Sequence, residues 1–215
     1  MFLKSFVKRK RPLSKAKQLL FEKTLPTFKI KLEEIPDIVK KHDKLNLEIG
    51  FGKGDFLSAL ATEKEKQALN IGCEPYVEGV IGLLQKIESD NIKNIMIWPD
   101  DARILISKLP SCSIDSVYIL FPDPWPKRKQ QKRRLINAQF IKLMIEKLKP
   151  SGKIFTATDH HEYANWILHH FERSKAFIYR DISSDSTKLF DVCSTSYHKK
   201  NLEGKKILIF SFQLV

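Results

Sequence analysis

Cysteine is scarce: Cys73, Cys112 and Cys193 are odd in number, far apart and outside any CxxC arrangement. Neither a disulfide framework nor a zinc site can be built from such a set. No apolar run approaches the roughly 20 residues of a membrane-spanning helix. The opening MFLKSFVKRKRPLSKAKQ has neither the apolar core nor the small-residue cleavage site of a secretory signal. These absences predict a cytoplasmic chain with no membrane partner. Two phosphate-binding patterns are missing as well. The glycines at 50, 52 and 54 are followed by Asp55 where a dinucleotide fingerprint puts its third glycine, and no GxxxxGK[ST] occurs. Four histidines, His160, His161, His169 and His170, fall in one region. On a helix, positions 161 and 169 are separated by about 12 Å along the axis, too far to share one ion, and no metal is expected.

Positive charge is abundant and clustered. Lysine and arginine number 38 against 25 acids, a formal net charge of +13. Residues 1–21 hold seven basic side chains and no acid, and residues 127–134 hold six basic side chains among eight. Blocks of one sign point to a polyanionic partner such as nucleic acid. The first block reads as a basic N-terminal arm within a lead-in over residues 1–40, before a main domain over 41–215.

Within that domain, strand and helix signals alternate. LNLEI (45–49), ALNIGCE (68–74), NIMIW (94–98), DSVYILF (115–121) and KIFTATD (153–159) read as strands. Helical spacing begins at Asp55, a predicted N-cap, and recurs in YVEGVIGLLQKIES (76–89), ARILISKL (102–109), NAQFIKLMIEKL (137–148) and EYANWILHHFE (162–172). KPSGK reads as a turn, residues 181–196 as a polar stretch and KKILIFSFQLV as a last strand. Five βα alternations with nearly continuous apolar strands predict an α/β fold: a doubly wound, mostly parallel, Rossmann-like sheet. Such sheets bind ligands beyond the carboxyl ends of their strands, where the strand order reverses.

The motifs sit at those ends. Gly50, Gly52 and Gly54 follow the first strand, where glycine tolerates positive φ and lets backbone approach a ligand. Without a phosphate pattern, such a turn suits a phosphate-free nucleoside, of which S-adenosylmethionine is the common case. Glu74 ends the second strand, about 20 residues on, where a carboxylate takes ribose hydroxyls. Glu48 precedes the turn, and Asp100 and Asp101 end the third strand. On spacing alone, either aspartate could accept from an adenine amino group. A rim of carboxylates attracts a cationic sulfonium and repels phosphate.

FPDPWPKRKQQKRR (121–134) sets Asp123 between prolines at 122, 124 and 126. Each proline fixes φ near −65°, so the carboxylate is presented stiffly at a strand end. Trp125 either stacks on a base or anchors the loop. Arg128, Lys129, Lys132, Arg133 and Arg134, with Lys127, read as a phosphate-contacting patch that positions RNA without reading its sequence.

LEIGFGKGDF, GCEPYVEGV, DDARIL, FPDPWPKRKQQKRR, ATDHHEYA and the lead-in KSFVKRKRPLSKAKQ together resemble the tRNA (guanine-N7)-methyltransferase family. The resemblance covers most of the chain and implies a class I methyltransferase using S-adenosylmethionine on guanosine 46 of the tRNA variable loop. It implies cofactor roles for Glu48, Glu74 and Asp101, favouring Asp101 over Asp100. It makes Asp123 the essential aspartate and assigns Lys127 and Asp159 to the tRNA substrate. A late Thr-x-Phe/Tyr-Glu motif is matched by Thr195 and Tyr197, with His198 standing where glutamate is expected. The competing expectations are methylation of an exocyclic amine and a non-catalytic RNA-binding scaffold. The oligomeric expectation is a monomer or homodimer.

Overall fold

The computed structural model describes residues 5–6, 12–180 and 207–215. Its elements run α1 (Lys15–Phe28), α2 (Ile35–Lys40), β1 (Leu45–Ile49), α3 (Asp55–Ala59), β2 (Leu69–Cys73), α4 (Val77–Ser89), β3 (Ile95–Trp98) and α5 (Ala102–Lys108). They continue with β4 (Ile114–Leu120), α6 (Ala138–Lys147), β5 (Leu148–Thr158), α7 (His161–Ser174), β6 (Phe177–Arg180) and β7 (Leu208–Leu214). One seven-stranded sheet results, in the order β3-β2-β1-β4-β5-β7-β6. The β1–β2, β2–β3, β1–β4 and β4–β5 pairs are parallel, and β7 is antiparallel to both β5 and β6. The five anticipated parallel strands are all present; β6, a short edge strand, was not anticipated.

The central strands β1 and β2 are buried on both faces because helices cover both. Leu45, Leu47, Ile49, Val117 and Ile119 join a core with residues of α5, α6 and α7. On the opposite face, Phe56 and Leu60 pack on Tyr118, Leu120, Phe155 and Ala157, while Leu83, Leu84 and Ile87 of α4 pack with Leu57 and Leu25. The lead-in helix α1 is tied to this second layer. Leu25 is buried in it, Lys17 pairs with Glu78 at 2.6 Å, and the Ile30 N–H donates to the Ile97 carbonyl at 3.0 Å.

Two local expectations change. Asp55 is the first helical residue of α3 rather than its N-cap: the preceding Gly54 is left-handed (φ +77°), and the Asp55 carboxylate pairs with Lys86 at 2.9 Å. A side chain at position 54 would strain that φ and strike Leu83. The KPSGK turn falls inside β5, where the register passes from Ile114↔Leu148 to Ser116↔Lys153, so the intervening residues loop out of the ladder.

At the far edge, Phe171 of α7 stacks on Phe212 of β7 with centroids 3.7 Å apart and meets Phe177 of β6 edge-on. These rings join the antiparallel pair to the helix layer. Phe171→Ala should therefore cost about 3–5 kcal/mol, the range for deleting a buried aromatic, read as a lowered denaturation midpoint with an unchanged slope.

Candidate active site

The sheet order reverses between β1 and β4, each leaving toward a different side of the sheet. A cavity opens there, at the carboxyl ends of the strands, lined by Gly50, Glu74, Asp100, Asp101 and Asp123 among others. The turn after β1 is anchored by the Gly50 N–H, which donates to the Cys73 carbonyl at 2.8 Å. Glu74 fastens the turn a second time. One of its carboxylate oxygens accepts from the Gly52 N–H and the other from the Tyr76 N–H, both at 2.9 Å. Glu74 is thus a buried wall residue held in place by backbone donors on two sides.

That burial raises its pKa to about 7; the two N–H donors pull the other way, and the charge of Asp123 adds to the rise. Glu48 is buried as well, on the face of β1 that looks toward α3, and burial holds its carboxyl well above the ordinary range, reinforced by Glu74 and Asp55. It does not form part of the cavity wall, and its Oε2 has no hydrogen-bond partner among the described residues.

Asp101 caps α5 by accepting from the Arg103 N–H at 3.0 Å, and the Arg103 guanidinium meets the same carboxylate through Nε at 2.9 Å and Nη2 at 2.6 Å. Both aspartates favoured by spacing line the cavity, but Asp101 shares its oxygens with Arg103. Asp100 accepts from the Asp101 N–H at 2.9 Å.

The loop after β4 is strained. Phe121 and Trp125 have φ of +51° and +42°, values that cost a bulky L-residue about 1–3 kcal/mol and persist only when the surroundings impose them. Contacts at both ends impose them: the Phe121 N–H donates to the Ala157 carbonyl at 2.8 Å, and the Trp125 indole donates to the Ser5 carbonyl at 3.0 Å. Between them Asp123 reaches the cavity mouth, exposed at the surface. Partial burial pushes its carboxyl upward, while Arg133 draws it down.

The basic block divides. Lys127, and Arg128, Lys129 and Lys132 on the short 3₁₀ segment Arg128–Arg133 that follows it, are exposed. Arg133 is half-buried, its guanidinium 4.2 Å from the Trp125 ring centre. Arg134 does not belong to the exposed patch; it is fully buried, because its side chain turns inward beneath the loop. Asp159 lies half-buried just past β5 and outside the cavity wall. Thr195, Tyr197 and His198 lie outside the described residues, as does Cys193. Sequence reasoning missed Ser5 and Phe6, which line the cavity although they sit in the basic arm. The signal was present as an apolar residue among lysines, and Phe6 is buried. Among the described residues no cluster of His, Cys, Asp and Glu could hold a metal, and no helix is long and apolar enough to cross a membrane.

A sheet of this order, with a cleft at its reversal point, has the Rossmann-like fold of class I methyltransferases. Solved structures agree on the fold. An antibiotic-related methyltransferase superposes with a TM-score of 0.59 at 18% identity, over 86% of this chain and 95% of that one. A 16S rRNA (adenine(1408)-N(1))-methyltransferase from Catenulisporales acidiphilia gives 0.57 at 12%, over 86% and 94%. Residues 42–209 match a family described as putative methyltransferase. The tRNA (guanine-N(7)-)-methyltransferase of Wolbachia pipientis wMel is 43% identical over 184 residues, 85% of this chain and 80% of that protein. The enzyme of the same name from Hyphomonas neptunium is 36% identical over 210 residues, 95% of each. The chain belongs to the tRNA (guanine-N7)-methyltransferase family of enzymes.

The Asp101–Arg103 pair fixes the third strand end, with side chains only 10% and 5% exposed. Arg103→Ala would strand a buried carboxylate at the cavity wall. It should lower stability by about 3–5 kcal/mol, the cost of breaking a buried pair, measured by chemical denaturation.

Proposed function

We propose that this protein transfers a methyl group from S-adenosylmethionine to N7 of guanine 46 in the tRNA variable loop, by in-line displacement without a general base. The observation carrying this reading is that the strained loop delivers Asp123 to the mouth of the same cavity that Glu74 lines. A cofactor site and a purine-facing carboxylate therefore share one opening.

The acidic residues fit a cationic nucleoside. Two buried carboxyls have raised pKa values, and one oxygen, Glu48 Oε2, is without a described partner. Such a site lacks a positive charge. Glu74 would take the ribose hydroxyls, the backbone of Gly50 and Gly52 would lie against the ligand, the ligand's positive charge would favour the ionised form of Glu48 beneath the wall, and Asp100 and Asp101 would meet the adenine. When bound, S-adenosylmethionine supplies an electrophilic methyl group on a sulfonium that departs as a neutral thioether.

Guanine N7 has a free lone pair and no proton, so no residue is needed to remove one. The new N7–carbon bond forms as the carbon–sulfur bond breaks, and the protein's task is alignment, which can supply about 7–11 kcal/mol. Asp123 accepts hydrogen bonds from the guanine N1–H and amino group and offsets the positive charge that develops on the methylated base. Lys127, with the exposed Arg128, Lys129 and Lys132, contacts tRNA phosphates and sets the register of the RNA. Asp159, Thr195, Tyr197 and His198 complete the substrate contacts.

Incubation of tRNA with labelled S-adenosylmethionine, followed by digestion and mass spectrometry, should yield 7-methylguanosine from position 46. A methylated exocyclic amine in its place would refute the assignment, and no product would favour a binding scaffold. Asp123→Asn should lower turnover about 100-fold while leaving S-adenosylmethionine affinity within about threefold.

Glu74 gives the cofactor step a pH signature. A cationic ligand favours the ionised carboxylate, and in the free protein Glu74 retains its proton up to about pH 7. Binding below pH 7 must therefore release a proton, so affinity rises with pH. Over pH 5.5–7 the ligand's own amino group stays protonated, and affinity should rise about tenfold through Glu74 ionisation. Calorimetry in buffers of differing ionisation enthalpy would detect both effects; a flat profile with no proton release would contradict the role of Glu74.

A further inference from the structure

Arg134 is among the largest fully buried side chains of the protein, 1% exposed, in a stretch that is otherwise surface-directed and basic. Burying a guanidinium is costly unless its donors are engaged, and here they are engaged in a particular way. Nε donates to the carbonyl of Pro124, the residue after Asp123, at 2.8 Å. Nη2 donates to Glu162 Oε1 at 2.9 Å, on the first turn of α7. The planar head lies 4.8 Å from the Trp166 ring centre and 5.3 Å from that of Tyr163, both on α7. α7 is itself tied to the residues after Arg134. The Tyr163 hydroxyl accepts from the Ile136 N–H at 3.4 Å, and the Trp166 indole donates to the Ile136 carbonyl at 2.7 Å. Gln131 donates to the same Glu162 oxygen at 2.8 Å.

A segment bearing two left-handed aromatic residues holds its shape only if its middle is fixed as well as its ends. The ends are held by Ala157 and Ser5. Between Phe121 and Trp125, Pro122 and Pro124 lack N–H groups, so a carbonyl is the natural handle, and Pro124 offers it. A fork-shaped donor with two engaged corners fixes both position and orientation, which a lysine ammonium cannot do.

We propose that Arg134 is a positioning residue for methyl transfer: a buried strut from α7 to the Pro124 carbonyl that holds Asp123 at the cavity mouth, rather than a contact to RNA phosphate. The inference rests on the role of Asp123 given above. Glu162 anchors the outer end of the strut, and its side chain is 55% exposed.

The test compares Arg134→Lys, Glu162→Gln, Asp123→Asn and the Arg134→Lys/Asp123→Asn double variant in the full chain. Turnover, S-adenosylmethionine affinity, tRNA affinity and the salt dependence of tRNA affinity are measured for each. Arg134→Lys should lower kcat roughly 10- to 100-fold, the scale of a misplaced reacting group, with both affinities within about threefold and the salt slope unchanged. A contact to RNA phosphate would instead show as weakened tRNA binding with kcat near wild type, which would overturn the proposal. The double variant should be no slower than Asp123→Asn alone, because the strut acts through that carboxylate; multiplying effects would overturn it. Glu162→Gln, whose site is open to solvent, should lower kcat about three- to tenfold, since one charged anchor is lost. Should Arg134→Lys fail to fold, unchanged kcat in Glu162→Gln suffices to reject the strut. If Asp123→Asn turns over normally, the role of Asp123 fails; if only that variant is slow, the strut fails.

Discussion

Everything functional in this protein hangs on one topological constraint. β2 lies on one side of β1 and β5 on the far side of β4, so the connections that leave β1 and β4 run to opposite sides and a cleft opens between their carboxyl ends. The turn after β1, the end of β2 and the loop after β4 all meet at this opening. The helices on both faces bury the central parallel strands, and the loops at their ends start from that packed core.

Charge is arranged in two tiers around that opening. Outside, the chain carries a surplus of cations, with Lys127, Arg128, Lys129 and Lys132 exposed beside the mouth. Inside, Glu48 and Glu74 are buried and hard to ionise, and Asp101 is neutralised by Arg103. A polyanion is drawn to the rim, while the buried carboxyls inside stay uncharged until a cation beside them favours their ionised form. The separation suits a reaction in which a small cationic donor enters deep and a nucleic acid docks above it.

The alternation of strands and helices, the glycine turn and the placement of Asp123 were legible from the sequence because each depends on short-range chemistry. Period-two and period-3.6 apolar spacing, glycine's tolerance of positive φ and proline's fixed φ act within a few residues. Asp55 shows where such reasoning stops: its type suits an N-cap, but the left-handed Gly54 takes that place and Asp55 turns to Lys86 on another helix. β6 escaped notice because a four-residue strand is defined by its partner, β7, and hardly by its own pattern.

The sequence by itself determined the fold class, the acidic strand ends and the clamped aspartate, since these follow from residue types in local order. Only the tertiary structure decided which charges face water. Arg133 and Arg134 are neighbours of the same type, yet one stacks on Trp125 at the surface and the other is buried against α7. Phe6, amid lysines, closes part of the cavity wall. The difference arises because burial is a property of the elements that pack around a residue, and those elements come from distant parts of the chain.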